Sequence, residues 1–290
     1  MKFVKPVILG SIALSVIVLV FYFGFNIQDI PKQDIPIQNN SDPINSELIK
    51  WSDGILFDVF VYPKDIVNID GRQIPLKGTF KLKPNLSETY SEIGVYDEKN
   101  KPLVIIPVYT ASAYSKNGFY DFYSGYCNTC LTTKIVSIDE LREQSSANAV
   151  KILELLGYDS ITDIELDKNP DILKKYDKII LLHNEYVTRK MFDSITSHSN
   201  VIYLYPNALY AEISTNFEDN TISLIRGHNY PDEDIKNGFD WEFENTDPYE
   251  YDKECKNWKF YNITNGKMLN CYPEQIIWKD EKFLKVLKEL

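Results

Sequence analysis

Three polar side chains that follow apolar runs are the strongest candidates for chemistry in this sequence. His183 and Glu185 come directly after the run Ile179–Leu182 in "IILLHNEYVT", and Asn207 follows the apolar "VIYLYP". If the first run is a strand that stays extended, His183 and Glu185 project from the same side. An imidazole beside a carboxylate suits general acid/base catalysis, or a carboxylate metal ligand with a neighbouring histidine. The amide of Asn207 could then hold a substrate carbonyl oxygen.

Other catalytic schemes find little support in the sequence. It contains no Gly-x-Ser-x-Gly elbow, no P-loop and no Gly-x-Gly-x-x-Gly fingerprint. The two remaining histidines fit structural roles. We expect His198 to stabilise a helix end. His228, in "RGHNYP", could approach the candidate residues from another loop, but a turn residue is the favoured interpretation.

Helix and strand patterns alternate around these candidates. Ala147–Leu156 has the apolar spacing of a helix that ends at Gly157, and Thr188–His198 predicts a helix between the buried strands "DKIILL" and "NVIYLYP". Strand, helix and strand at this spacing indicate an α/β fold, with a largely parallel sheet flanked by helices. Ligand sites in such sheets form at the carboxyl ends of the strands, which is where the three candidates fall.

A different pattern precedes residue 109. The segments "ILFDVFVYP", "GTFKLKP", "YSEIGVYDE" and "PLVIIPV" are separated by turn residues and predict a small antiparallel β region over residues 51–108. Tyr109–Cys130 carries several tyrosines among small residues and is expected to be a long loop that lines something. We assign residues 109–290 to the α/β domain.

The N-terminus predicts a membrane anchor within residues 1–25. Pro6–Phe25 is an uncharged run of 20 residues, and a helix of that length spans roughly 30 Å, the thickness of a hydrocarbon core. Lysines precede the run and acidic residues predominate after it, so the basic end is expected inside and the rest of the chain outside the cytoplasm. Residues 26–50 are predicted to be a flexible linker. A cleaved signal peptide is the alternative, with the same final compartment.

Net charge bears on the binding partners of the chain, and cysteine content bears on its disulfide bonds. The formal net charge of −11 argues against nucleic acid as a partner. Four cysteines in an oxidising compartment predict disulfides, and the pairs Cys127–Cys130 and Cys255–Cys271 are favoured because each is close in sequence. The Asn-Gly turn in "TNGK" supports the second pair as the flanks of a hairpin. A zinc site is the weaker alternative, since only one Cys-x-x-Cys is present.

The segment "GYDSITDIELDKNPDILKKYDKIILLHNEYVTRKMFDSI", followed by "VIYLYPNALY", resembles the C-terminal domain of the large subunit of N,N-dimethylformamidase. The likeness covers about residues 157–210, and residues 108–118 more loosely. It implies an α/β fold of the class I glutamine-amidotransferase type. It also implies an amidohydrolase that acts on the C–N bond of small amides.

The resemblance further implies a mononuclear iron held by a glutamate and two tyrosines. Glu185 matches the glutamate, "TASAYS" places Tyr114 as one tyrosine ligand, and His183 and Asn207 match the other active-site residues. Carboxylate and phenolate oxygens are hard ligands that suit ferric iron acting as a Lewis acid. The second tyrosine has no clear match, because its expected neighbourhood carries Phe80; Tyr120 and Tyr123 are the alternatives.

Two functions therefore remain open from the sequence. The first is a membrane-anchored, outward-facing hydrolase of small amides, with Tyr114 and Glu185 holding a metal and His183, Glu185 and Asn207 acting on substrate and water. The second is a non-catalytic protein of the cell surface or envelope that keeps the fold and binds a ligand.

Overall fold

A computed structural model describes residues 47–69, 71–75, 77–242 and 249–290. Within these residues, no helix is both long and apolar enough to cross a membrane. The predicted anchor Pro6–Phe25, and the predicted linker up to residue 46, lie outside them. The described chain is a mixed α/β structure with several sheets, some of them parallel.

The strands, in chain order, are β1 (Ile49–Asp53), β2 (Phe57–Val61), β3 (Ile66–Ile69), β4 (Arg72–Pro75), β5 (Thr79–Leu82), β6 (Leu103–Ile106), β7 (Thr132–Lys134), β8 (Asp159–Thr162), β9 (Ile179–Leu181), β10 (Tyr186–Val187), β11 (Val201–Tyr203), β12 (Ala211–Asn216), β13 (Thr221–Arg226), β14 (Phe260–Ile263) and β15 (Gly266–Leu269). The α-helices are α1 (Ser87–Ile93), α2 (Val108–Ala113), α3 (Phe119–Tyr123), α4 (Ala147–Leu155), α5 (Asp163–Lys168), α6 (Arg189–Thr196) and α7 (Glu281–Glu289).

The largest sheet has six strands in the order β14-β15-β11-β9-β6-β8. Neighbouring strands from β15 to β8 are all parallel, and only β14 runs antiparallel to its neighbour. Every residue of β6, β9 and β11 is buried, as expected for parallel strands covered on both faces. The sequence-based prediction of buried parallel strands at "DKIILL" and "NVIYLYP" is confirmed.

Two segments assigned from sequence to the antiparallel region belong elsewhere. "PLVIIPV" contains β6, which pairs with β8 and β9 inside the parallel sheet, because its unbroken apolar run needs cover on both faces. "YSEIGVYDE" begins inside helix α1, where Tyr90 and Ile93, three positions apart, form the buried face. The antiparallel region consists instead of a three-stranded sheet, β1-β2-β5, and the hairpin β3-β4.

The predicted long loop at residues 109–130 is also wrong in part. Val108–Ala113 forms α2, all of whose residues are buried, and Phe119–Tyr123 forms α3. The small side chains of "TASA" allow a helix to be enclosed completely, which a loop with unpaired backbone groups could not be. This helical frame, and not a flexible loop, places the tyrosines that follow.

Local predictions elsewhere hold. Helix α4 is followed by Gly157 with φ +84°, a conformation that favours glycine after a helix. Helix α6 begins after Thr188, whose hydroxyl accepts the N–H of Met191. Strands β14 and β15 form the predicted hairpin. Both favoured disulfides are present, Cys127–Cys130 and Cys255–Cys271.

Candidate functional site

The site lies where β9 and β11 end side by side. Leu181 and Tyr203, the last residues of these strands, are paired partners, so the segments that follow leave the sheet at the same edge. The predicted extension of β9 through Glu185 is wrong, because the chain turns at once and the N–H of Asn184 bonds the carbonyl of Leu182 at 2.7 Å. His183 and Glu185 nevertheless face each other, with Nε2 and Oε2 3.8 Å apart.

Hydrogen bonds of its backbone N–H and carbonyl groups hold this turn in place from both sides. The hydroxyl of Ser146 accepts the N–H of His183 at 3.0 Å, and the hydroxyl of Thr110 in α2 accepts that of Glu185 at 3.0 Å. The carbonyl of Glu185 accepts the N–H groups of Tyr210 and Ala211, each at 2.9 Å. Glu185 is therefore fixed by α2, by β12 and by the segment that follows β11.

Two tyrosines from the α2–α3 segment meet the Glu185 carboxylate. Tyr114 directly follows α2 and Tyr120 lies in the first turn of α3, and their rings stack at 3.9 Å. The Tyr120 hydroxyl lies 2.5 Å from the Tyr114 hydroxyl and 3.3 Å from Glu185 Oε1. The Tyr114 side chain also lies near enough to Glu185 to lower the pKa of its carboxyl group. Three oxygens from two parts of the chain therefore converge on one point.

Phe80, Tyr120 and Tyr123 lie at different places relative to Tyr114 and Glu185. Phe80 lies in β5 and packs against Phe57 and Trp278, in the core of the small sheet. Tyr123 makes an edge contact with the Tyr120 ring, and its hydroxyl lies 3.5 Å from that of Tyr186. Of the alternatives, Tyr120 is the phenol that reaches both Tyr114 and Glu185.

His228 is a partner of Glu185 that sequence reasoning considered but did not favour. Its Nε2 makes a very short hydrogen bond to Glu185 Oε1, and its ring stacks on Tyr186 at 5.7 Å and meets Tyr210 edge-on at 4.6 Å. The residue adopts φ +52° in the turn after β13, so the prediction of a turn residue was right for its backbone. It was wrong for its role, because nothing near residue 228 in the sequence shows which way the ring points.

The Glu185 carboxyl is fully buried yet favours the charged form. Burial alone would raise its pKa, but His228, His183 and Tyr114 together lower the pKa of Glu185 below its ordinary value. The phenols show the reverse. Burial, and then the charge of Glu185, raise the pKa values of Tyr114 and Tyr120 well above the usual range, so both are protonated donors here.

His183 is oriented by a chain of hydrogen bonds on its far side. Its Nδ1 lies 2.6 Å from the carbonyl oxygen of Gln144 and 3.4 Å from the hydroxyl of Tyr272. A bond to a carbonyl requires the proton on Nδ1, which leaves a lone pair on Nε2 in the neutral ring. Neither His183 Nε2 nor Glu185 Oε2 has a hydrogen-bond partner among the described residues. These two buried acceptor atoms face each other, and a proton or a bound group between them would satisfy both.

Asn207 joins the site through a second acid. Its side chain is 2 % exposed and lies near enough to the Glu250 carboxyl group to lower the pKa of that acid. Within the described chain its Oδ1 has no hydrogen-bond partner. Burial and the charge of Glu185 raise the pKa of Glu250, while Asn207 and the two histidines lower it. Glu250 comes from the short turn Tyr249–Tyr251 and gave no signal in the sequence.

A buried acidic network supports the α2 segment from behind. Asp163 accepts the N–H of Tyr109 at 2.9 Å. Asp167 accepts the hydroxyls of Tyr109, Thr188 and Thr215 at 3.2, 2.7 and 3.0 Å. These bonds tie α2 to α5, to the start of α6 and to β12. They hold the helix that carries Tyr114 in register with the turn that carries Glu185.

The donor atoms fit a hard metal ion through oxygen ligands. No group of three or more His, Cys, Asp or Glu side chains able to hold an ion occurs in the described part of the chain. The convergent set is formed by Tyr114, Tyr120 and Glu185, with the unpartnered Glu185 Oε2 beside it.

No protein-family model matches the chain, and no curated protein is similar enough to it to count as a relative.

Proposed function

We propose that the chain is a metal-dependent hydrolase of small amides of the N,N-dimethylformamidase type. One observation carries the proposal: the phenols of Tyr114 and Tyr120 and the carboxylate of Glu185 meet at one point, beside an imidazole nitrogen with a free lone pair. The resemblance of the sequence implies two tyrosines and a glutamate as ligands. The position of Tyr120 supports this residue as the second tyrosine, which the sequence left open.

Tyr114, Tyr120 and Glu185 would hold the ion, and the phenols would lose their protons on binding it. A bound ferric ion would supply Lewis acidity for an amide carbonyl and for water. His228 holds Glu185 Oε1 by a charge-assisted hydrogen bond and so fixes the carboxylate in a single orientation.

The other side chains have separate tasks. His183 Nε2 accepts a proton from the attacking water, because its Nδ1 proton is held by the carbonyl of Gln144. The Asn207 amide orients the substrate, with the orphaned Oδ1 facing an N–H group or water. Glu250, whose pKa is raised, is placed to return a proton to the leaving amine.

Metal analysis of the purified full-length chain tests this function. We expect iron in stoichiometric amount and release of amine from formamide or its N-methyl derivatives. Tyr114→Phe and Tyr120→Phe should lose both, whereas Tyr126→Phe, at a ring that is 78 % exposed, should lose neither. A metal-free protein without turnover that still binds small amides would instead support the non-catalytic binding protein.

The same proposal includes the location. The uncharged run Pro6–Phe25 anchors the chain, and the α/β part with its largely parallel sheet faces the outside of the cytoplasm. The two disulfides support this location because such bonds persist in oxidising compartments. Full-length protein should sediment with membranes and be cleaved by external protease in intact cells. Protection from protease would contradict the orientation.

A further inference from the structure

A small cavity lies between the antiparallel sheet β1-β2-β5 and the α/β part of the chain. Its apolar wall is formed by Val59, Phe80 and Trp278, and its polar wall includes Glu143, Gln275 and Lys77. The cavity has a volume of about 30 Å³. Since a water molecule needs about 10–15 Å³ measured in this way, the space suits two waters or one ligand of a few heavy atoms.

Glu143 is the unusual feature of this cavity. The residue is 9 % exposed, and within the described chain neither carboxylate oxygen has a hydrogen-bond partner. Lys253 Nζ stays 3.7 Å from Oε1, and Gln275 lies near enough to lower the pKa of Glu143 without a bond of good geometry. Gln275 Oε1 is also buried without a partner in this part of the structure. Buried acceptors of this kind are normally satisfied.

The cavity is separate from the reaction centre. Glu143 belongs to the turn Glu143–Ser145, whose backbone faces His183: the Glu143 carbonyl accepts the Tyr272 hydroxyl at 2.7 Å, and the Gln144 carbonyl lies against Nδ1 of His183. The Glu143 side chain lines the cavity toward the small sheet instead. The unpartnered oxygens of Glu143 therefore have no part in the proposed hydrolysis.

The chemistry of the walls selects the class of ligand. Three acceptor oxygens have no hydrogen-bond donor within the described chain, two on Glu143 and one on Gln275, and they favour a ligand that donates at least two N–H groups. Lys253 beside Glu143 and Lys77 in the lining disfavour a cation. Lys77 Nζ donates to the carbonyl of Asp139 and keeps further N–H donors for a ligand oxygen. The tilted pair of Phe80 and Trp278, 5.7 Å between ring centres, can cover a methyl group.

We propose that this cavity is a binding site for a small uncharged primary carboxamide. Its NH2 group donates to Glu143 and Gln275, its carbonyl oxygen faces Lys77, and its alkyl group packs on Phe80 and Trp278. The site is independent of the proposed hydrolase and stands if that function fails.

Titration of the full-length chain with acetamide, followed by ligand-observed NMR, tests the site. We expect saturable binding that weakens about tenfold in Glu143→Gln, which replaces one acceptor oxygen by a donor. Glu154→Gln makes the same chemical change on the exposed side of α4 and should bind as the wild type does. Tyr114→Phe should also keep this binding, which separates the cavity from the reaction centre.

Two comparison ligands and a crystal soak complete the test. N,N-dimethylacetamide lacks N–H donors and should not bind the cavity, and methylammonium should bind more weakly than acetamide. Difference density for acetamide should lie against Glu143 and Gln275. Equal affinity in Glu143→Gln, tighter binding of methylammonium, or water alone beside Glu143 in soaked crystals would overturn the proposal.

Discussion

Glu185 and Glu143 are both buried acids, and their pKa values shift in opposite directions. Glu185 is fully buried but has His228, His183 and the tyrosine hydroxyls around it, and its pKa is lowered. Glu143 is almost as buried, has no hydrogen-bonded partner for either oxygen among the described residues, and its pKa is raised to about 7. Burial is the largest single influence on both groups. The partners within hydrogen-bonding distance decide the sign of the shift.

The comparison distinguishes a buried carboxylate that hydrogen-bond donors stabilise, Glu185, from a buried carboxyl group, Glu143, that has no hydrogen-bond donor among the described residues. A carboxylate surrounded by donors is pre-organised to bind a cation, because its negative charge is already stabilised. A carboxyl group without donors loses stability when it ionises, and a ligand with N–H groups can remove that cost. Four changes test the difference between the two acids, beginning with the largest expected effect.

Glu185→Gln should remove metal binding. Structural zinc sites in zinc-finger peptides bind with about 10–16 kcal/mol shared over four ligands, so at a site of comparable strength the loss of one charged ligand corresponds to about 500-fold in affinity. Metal content after dialysis against a weak chelator, together with amide hydrolysis, measures the effect. Glu218→Gln, at an exposed turn, is the control. Wild-type metal content in Glu185→Gln would show that the carboxylate is not a ligand.

Glu143 should give the free energy of unfolding a pH dependence of unusual sign. Because its folded pKa of about 7 exceeds its ordinary value of 4.5, the folded state binds more protons between these values. Stability therefore falls as pH rises through this window, by about 3 kcal/mol at full effect, and stays level above it. Denaturant unfolding of Glu143→Gln should lack this decline, while Glu154→Gln should retain it. Parallel pH profiles for the wild type and Glu143→Gln would contradict the assignment.

His228→Gln should move Glu185 toward the behaviour of Glu143. The amide still donates a hydrogen bond but carries no charge, so the pKa of Glu185 should rise. An acid whose pKa is lower in the folded state than in the unfolded state stabilises the fold at pH values above its unfolded pKa. This stabilisation is lost as the pH falls through the folded pKa. In the variant this loss should begin at higher pH, and stability at pH 7 should fall by about 2 kcal/mol. If the stability of the variant falls at low pH over the same pH range as that of the wild type, His228 does not influence the pKa of Glu185.

Tyr272→Phe should have the smallest effect, because it removes one hydroxyl group that lies between the two regions. Its hydroxyl bonds the Glu143 carbonyl and lies 3.4 Å from Nδ1 of His183. We expect a loss of about 1 kcal/mol in stability and a decrease in kcat, with little change in KM. A change in KM alone would show that Tyr272 acts on substrate binding and not on the orientation of His183.

The parts that were predictable from the sequence rest on short-range patterns. Apolar runs located β9 and β11, so the position of His183, Glu185 and Asn207 at strand ends was predictable. Sequence proximity indicated both disulfides. The partners that the sequence left open or did not favour make contacts over long separations in the chain. His228 lies 43 residues from Glu185 and Tyr120 lies 65 residues from it, and their side-chain directions depend on backbone turns that no periodicity records.

The most direct measurement of the central claim is an anomalous difference map at the iron absorption edge, from crystals of the full-length chain grown with iron. The account predicts one strong peak within bonding distance of the Tyr114 and Tyr120 hydroxyl oxygens and the Glu185 carboxylate. A map without a peak there, or with iron bound only elsewhere, would contradict it.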